Sequence, residues 1–260
     1  KDPTQISFRR QSGSNALLIG QQPGASLSML ATAAAALAAQ HDADPHRGAQ
    51  FFALDGSPPD APHAGFLEKA AKAFPHRFEV GGIRDVAKIV GEIHDELVRR
   101  QTEGPAGRAE IYLLVYDLQR FRDLRKAEDD FSFSRTEEKP NPAKQLPTIL
   151  REGPALGIHT LVWCDSLNNF QRTFERSLMR EFELRVLFQM SQNDSSNLID
   201  GPAASRLGPH RALLFNEEQG LLEKFRPYSL PTDEWLAKLR TLLTSKGDAN
   251  KKTAPAGASA

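Results

Sequence analysis

Apolar residues along this chain fall in short unbroken runs separated by longer stretches with helical spacing, and the alternation continues almost from end to end. Asn15 to Gly20 reads as a buried strand, and Ser26 to Gln40 as a helix of high intrinsic propensity. Gln50 to Asp55 is the next strand, followed by a short helix over Phe66 to Phe74 and a strand over His76 to Val80. Val86, Ile89, Val90, Ile93 and Leu97 repeat at helical intervals and predict a long helix from Arg84 to Gln101. The clearest strand is Glu110 to Asp117. Its centre, Ile111 to Tyr116, is apolar without interruption, as expected of a parallel strand covered on both faces. Strands at Gly157 to Cys164 and Phe182 to Met190 follow, with a helix over Phe170 to Arg180 between them. Arg211 to Phe215 and Leu222 to Phe225 flank Asn216-Glu217-Glu218-Gln219-Gly220 and predict a closing β-hairpin.

This order predicts an α/β fold, a mostly parallel central sheet flanked by helices with a C-terminal β-hairpin. In such sheets ligands gather at the carboxyl ends of the strands, which directs attention to the loops after Gly20, Asp55, Asp117 and Cys164. One domain is expected over residues 1–244. The charged stretch 128–142, with Pro140 and Pro142, is expected to be an inserted surface loop. The tail 245–260, rich in Lys, Ala, Gly and Pro, is expected to be disordered.

Charge narrows the function classes. The 260 residues carry 33 Lys and Arg against 33 Asp and Glu, so no bulk field draws the chain onto nucleic acid. A single cysteine, Cys164, excludes an internal disulfide and a cysteine metal cluster, and fits a cytoplasmic location. No signal peptide opens the sequence, and with Lys1 in place of a starting methionine residue 1 is expected to be an internal position of a longer protein. The most apolar stretch, Met29 to Ala39, is far shorter than the roughly 20 residues of a membrane-spanning helix, so no direct membrane contact is expected.

The first βα connection holds the main candidate chemistry. Gly20, Gln21, Gln22, Pro23, Gly24, Ala25, Ser26, Leu27 and Ser28 lie between a buried strand and a long helix, the layout of a phosphate-binding loop. A working loop of the form G-x-x-x-x-G-K-[ST] needs the second glycine, a lysine for the β- and γ-phosphates and a hydroxyl for Mg²⁺. Counted from Gly20, those positions hold Ala25, Ser26 and Leu27. Two readings stand for the loop alone: a tight βα turn, or a phosphate cradle that has lost its lysine. Asp117 ends the clearest strand where an acidic residue would hold the shell of Mg²⁺, and equally where it would cap the following turn. Leu118 stands where a catalytic Glu would follow. Arg120, Arg122, Arg125 and Lys126 offer a basic face, offset by Asp123, Glu128, Asp129 and Asp130. The seven histidines show no ligand spacing, and His159 and Cys164 are expected to be core residues.

Further along, Leu150-Arg151-Glu152-Gly153-Pro154-Ala155-Leu156-Gly157-Ile158-His159-Thr160-Leu161 resembles a segment of FtsK/SpoIIIE-type motor domains that reads roughly G-R-A-x-G-I-H-L. Asp194 to Asp200 and Ala203 to Phe215 resemble the same family's D-S-R-x-I-L-D and A-x-x-L-L-G-x-G-D-M-L. With the loop after Gly20 and the acid at Asp117, the resemblance spans about Asn15 to Tyr228. It implies a RecA-like P-loop NTPase fold of the HerA/FtsK superfamily, as found in DNA translocases and type VII secretion ATPases, with this chain as a degenerate C-terminal module.

The departures fall where γ-phosphate chemistry belongs. By resemblance the P-loop lysine falls on Ser26, the catalytic Glu on Leu118, the sensor Gln on Asp165, and the Gly-Asp before the last strand on His210-Arg211. The resemblance therefore implies weak or absent hydrolysis and a structural, regulatory or partner-binding role inside a larger DNA- or protein-translocating motor. The alternative is an active translocase domain completed by residues from neighbouring modules. No cofactor is demanded by the residues; the resemblance allows ATP, with Mg²⁺ at Asp117 if it binds. The implied partners are other ATPase modules in a ring-forming oligomer and, through the parent protein, DNA or a secreted protein, at the inner face of the membrane.

Overall fold

The structure, a computed structural model, describes residues 4–126 and 141–253. Eight strands form one sheet: β1 (Ala16–Ile19), β2 (Ala49–Asp55), β3 (Arg77–Gly81), β4 (Glu110–Tyr116), β5 (Ile158–Cys164), β6 (Leu184–Leu187), β7 (Ala212–Asn216) and β8 (Leu221–Phe225). Their order across the sheet is β3-β2-β4-β5-β1-β6-β7-β8. The first six pair in parallel, and only β7 and β8, the expected hairpin, run antiparallel. The helices are α1 (Pro23–Ala38), α2 (Phe66–Ala71), α3 (Val86–Glu103), α4 (Pro142–Glu152), α5 (Leu167–Thr173), α6 (Gln192–Ile199) and α7 (Asp233–Thr253).

Strand residues alternate between two apolar cores, one on each face. Leu17, Ile19, Leu113, Val115, Val162 and Leu187 join α3, α4, α5 and α6 on one side. Ala16, Leu18, Leu114, Leu161, Trp163 and Val186 join α1, α2 and α7 on the other. Coverage of both faces explains why the inner strands are apolar throughout rather than at every second position.

Several boundaries differ from the sequence pattern. The helix expected over Phe170 to Arg180 is two pieces, α5 and a 3₁₀ stretch at Arg176–Glu181, because Ser166 caps the start early and Phe174 turns extended to bury its ring against Phe170 and Phe182. The expected strand Phe182 to Met190 narrows to β6, because Phe182 serves the core at the end of the 3₁₀ stretch. The inserted loop falls outside the described residues through 140. Its last two positions begin α4 instead, with the Asn141 side chain accepting from the Ala143 amide at 3.0 Å and Pro142 at the first helical position. Residues 245–253, expected to be disordered, continue α7, whose Leu236, Leu239 and Leu243 are held in the core; residues 254–260 lie outside the described residues.

At the amino-terminal edge of the sheet, Asn15 is completely buried. Its side-chain amide donates to the Leu150 carbonyl at 2.9 Å and the Glu181 carbonyl at 2.8 Å, while its oxygen accepts from the Thr160 amide at 2.9 Å. One side chain thus joins the start of β1 to β5, to α4 and to the segment leading into β6. Asn15→Ala leaves three buried main-chain groups unpaired and is expected to lower stability by about 3 kcal/mol. Urea unfolding checks this as a lower midpoint at unchanged slope.

Candidate functional site

The carboxyl ends of β4, β5 and β1 lie side by side, so Asp117, Asp165 and the Gly20 loop share one edge of the sheet. The loop is short. Gly20 continues the ladder by donating its amide to the Cys164 carbonyl at 3.1 Å, and α1 begins only three residues later, at Pro23. Gly20 has φ +122°, and a Cβ there would sit 2.9 Å from the Phe188 Cβ, so both conformation and space require glycine. The helix start near Ser26 expected from propensity is therefore moved to Pro23, whose fixed φ suits the first helical position.

That shift decides what the candidate phosphate residues do. Gln21 and Gln22 are exposed at the turn, and Gly24, Ala25, Ser26, Leu27 and Ser28 all lie within α1 rather than in a loop. Ser26, at the lysine position, is fully buried, and both its amide (3.0 Å) and its hydroxyl (2.9 Å) donate to the Gln22 carbonyl. Leu27 is fully buried in the core. The Ser28 hydroxyl donates to the Ser229 carbonyl at 2.9 Å. Gly24 and Ala25 are thus the helical amides in this first turn without an intrahelical partner by position.

Three side chains that sequence reasoning missed close around this turn. Tyr116 and Trp163, at the next register position of the β4–β5 pair, stack with centroids 4.6 Å apart. Trp163 donates its indole N–H to the Gly20 carbonyl at 3.0 Å, and the Tyr116 hydroxyl donates to the Pro23 carbonyl at 3.3 Å. His63 packs over Gly24, its Nε2 within 3.3 Å of where a Cβ would be. The paired aromatic positions at two strand ends were the available signal.

The acidic residues are engaged by neighbours. Asp117 has φ 68° and takes the cap position of the Leu118–Arg120 turn, yet its carboxylate makes no capping bond and instead accepts from Gln119 Nε2. Gln119 Oε1 in turn accepts from the Asp165 amide at 3.3 Å, bridging the two strand ends. Asp165 accepts from the Ser166 hydroxyl (2.9 Å) and the Asn169 side-chain Nδ2 (2.8 Å), which fixes the start of α5. Asp55, at the end of β2, accepts from the Ser57 amide at 2.9 Å. Leu118, in the catalytic Glu position, is fully buried. Among the described residues no Lys or Arg forms an ion pair with Asp55, Asp117 or Asp165, and no group of His, Cys, Asp or Glu converges to hold a metal. The residues present do not fit a magnesium–triphosphate: the lysine is replaced by a buried serine, and the facing carboxylates repel phosphate.

Of the remaining candidates, Arg120 and Arg122 are exposed, Arg125 donates to the Gln119 carbonyl at 2.9 Å, and Lys126 pairs with Glu175 at 3.4 Å. His159 is a buried core residue, its Nδ1 donating to the Ser14 carbonyl at 2.8 Å. Burial pushes the Cys164 thiol up to about 12, which makes it unreactive at neutral pH.

Burial also pushes the Asp117 carboxyl up to about 6; Arg120 opposes this and the Asp165 charge adds to it. The folded state therefore holds this proton more tightly than the unfolded chain does. The contribution is present at about pH 4 and is lost as pH rises through 6. Asp117→Asn removes the cost of the buried charge and keeps the left-handed backbone, so it is expected to stabilise the protein by on the order of 2 kcal/mol at pH 8 and to change little at pH 4. Thermal unfolding at the two pH values checks this.

No family model matches the chain, and no curated protein matches it. Solved structures do. ATPases 2 and 3 of Thermomonospora curvata EccC, in complex with a signal sequence peptide, align with a TM-score of 0.64 at 17% identity, over 90% of this chain and 42% of that one. The pCW3 conjugation coupling protein TcpA, in its monomer form with ATPγS, aligns at 0.63 with 13% identity, over 90% of this chain and 65% of that one. EssC ATPases 2 and 3 from Geobacillus thermodenitrificans align at 0.58 with 14% identity, over 92% and 45%. This chain thus spans less than two thirds of each of these proteins. Among the described residues no helix is long and apolar enough to cross a membrane. Its mostly parallel eight-stranded sheet, flanked by helices, has the fold of FtsK/SpoIIIE-type motor domains.

Proposed function

We propose that this chain is a nucleotide-silent module of FtsK/SpoIIIE fold, serving a larger cytoplasmic motor as a structural, regulatory or partner-binding domain. The observation that carries this reading is the start of α1 at Pro23, which places Ser26 inside the helix with amide and hydroxyl both bound to the Gln22 carbonyl. A phosphate cradle needs a wider loop of free amides and a cation, and this turn supplies neither. Buried Leu118 offers no carboxylate to orient a water, and the Asp117 carboxylate is buried and engaged by the Gln119 side chain. Each strand end is closed by its own hydrogen bonds, so the fold is maintained without a ligand.

The reading extends to partners. EccC and EssC were solved as pairs of ATPase domains, EccC with a signal sequence peptide, and a silent module fits beside active ones in such an array. We place this chain in a ring-forming assembly that moves a secreted protein or DNA, where an even charge balance suits packing against other modules.

Single-turnover assays of the purified chain with Mg-ATP are expected to give no hydrolysis above buffer. Robust turnover that is abolished by Asp117→Asn would overturn the reading. Ser26→Lys alone is expected to restore no turnover and to destabilise the fold by several kcal/mol, because the new ammonium would be buried without a partner; thermal unfolding measures the loss.

A further inference from the structure

The buried imidazole of His159 in β5 is met by three residues of the short segment that precedes β1. Phe8 packs against the ring with centroids 5.3 Å apart, and the Ser14 carbonyl accepts from Nδ1 at 2.8 Å. Arg10 reaches it through Glu110, at the start of β4: its Nε and Nη2 donate to Glu110 Oε1 at 2.9 and 2.5 Å. Tyr112, also of β4, stacks on the same imidazole with centroids 5.7 Å apart. Two further contacts hold the segment on the side of β6 and the hairpin, from Gln11 to Glu183 at 3.3 Å and from Arg9 to Glu218 at 3.5 Å.

His159 and Glu110 face one another as two acceptors. Because Nδ1 donates to Ser14, the neutral ring turns its Nε2 lone pair toward Glu110 Oε2, 4.0 Å away. That oxygen is itself buried and without a hydrogen-bond partner among the described residues. A proton taken up at Nε2 converts the contact into a charged hydrogen bond and satisfies Oε2. Closing the gap to a hydrogen bond of roughly 2.8 Å then draws the carboxylate toward β5 and away from the Arg10 fork. Arg10 is exposed, so water receives its guanidinium at little cost, whereas the imidazolium is buried and has Glu110 as its acceptor.

The docked segment does not shelter the charged ring. Burial holds the imidazole below the usual histidine range, the Ser14 carbonyl and Glu110 oppose this, and the charges of Arg10 and Arg100 add to it. Protonation therefore favours the arrangement in which Phe8 lifts and water reaches the ring. The docking contribution is present above about pH 6.5 and is lost as pH falls below that value.

We propose that His159, Glu110 and Arg10 form a proton-operated clamp: uptake of a proton from water at His159 Nε2 transfers Glu110 from Arg10 to His159 and releases residues 4–13 from the sheet. Asn15, buried and bonded to three other segments, stops the release at the start of β1. Residues 4–8 also form one wall of an apolar cavity of about 600 Å³, whose other walls are α1, the strands and residues 224–228, so release opens that wall. The clamp shares no residue with the strand-end carboxylates and stands whether or not the chain handles nucleotide.

Hydrogen exchange of the intact chain, read by mass spectrometry and corrected for the intrinsic effect of pH, tests the clamp. Between pH 7.5 and pH 5.5 residues 4–13 are expected to exchange at least fivefold faster, with β1 and β2 unchanged. His159→Asn, whose side-chain amide can donate to Ser14 but does not titrate, is expected to remove this response. Imidazole NMR of the parent chain supplies the second measurement, with His159 titrating together with the release. The proposal is overturned if residues 4–13 exchange equally at both pH values or more slowly at pH 5.5, or if His159→Asn responds like the parent. Should that variant not fold, the NMR titration decides: a His159 that titrates while residues 4–13 stay protected, or that stays neutral through their release, overturns it equally.

Discussion

The arrangement of strand ends depends on one buried amide. Asn15 precedes β1 and spends all its usable hydrogen-bonding capacity on groups from three other segments, the carbonyls of Leu150 and Glu181 and the amide of Thr160. In a parallel sheet covered on both faces, strand pairing leaves no exposed edge along which β1 might slip to be rescued by water. The Asn15–Thr160 contact extends the β1–β5 ladder by one position, in step with Ala16 opposite Leu161. With that register fixed at the amino end, the carboxyl ends follow: Ile19 lies opposite Cys164, and Gly20 bonds the Cys164 carbonyl.

Along that edge the candidate phosphate positions serve ordinary structure. Gly20 persists where a Cβ would strike Phe188, a packing requirement that holds with or without a ligand. The positions that would face phosphate are absorbed into ordinary structure: Ser26 into the first turn of α1, Leu118 into the core, and Asp165 into the start of α5. Three carboxylates at neighbouring strand ends would destabilise one another if all were bare and ionised. The protein meets this by giving Asp55 and Asp165 donors from nearby polar groups and by holding the Asp117 proton toward neutral pH. The outcome is an edge whose polar groups are satisfied by one another.

The strands were legible because burial on both faces writes itself into contiguous sequence, as in Ile111 to Tyr116 and Ile158 to Cys164. Three helices were not. α6 carries only two apolar residues in Gln192–Ile199, α4 contains Pro147 and follows a charged stretch, and α7 runs into a composition typical of tails. Ser191 and Asn141 did mark the first two through their capping side chains. At the candidate site, Pro23 after Gln22 was a legible helix start, but the stacking of Tyr116 on Trp163 depends on cross-strand register between segments 47 residues apart, and His63 over Gly24 depends on the path of a loop. The cavity was invisible for the same reason: its walls come from residues 4–8, α1, the strands and residues 224–228, which only the fold brings together.

α1 links the two regions. Its alanine-rich sequence, Ala31 to Ala39 with one threonine and one leucine, lacks a side-chain N-cap and carries no charged residue in its first or last turn, so intrinsic propensity and packing have to hold it. The same alanines set its contour. Ala31, Ala34, Ala35 and Ala38 lie against the sheet and let the helix approach closely, whereas Ala33 and Ala36 face the cavity and leave it open where larger residues would fill it. A helix that opens at a phosphate loop is constrained at its N-terminus by the ligand. Here that end is fixed by Pro23, Trp163 and Tyr116, and the free surface of the helix lies along its middle. The closed first turn and the open middle thus belong to one helix, held at its tip by main-chain and aromatic contacts and bare along part of its side.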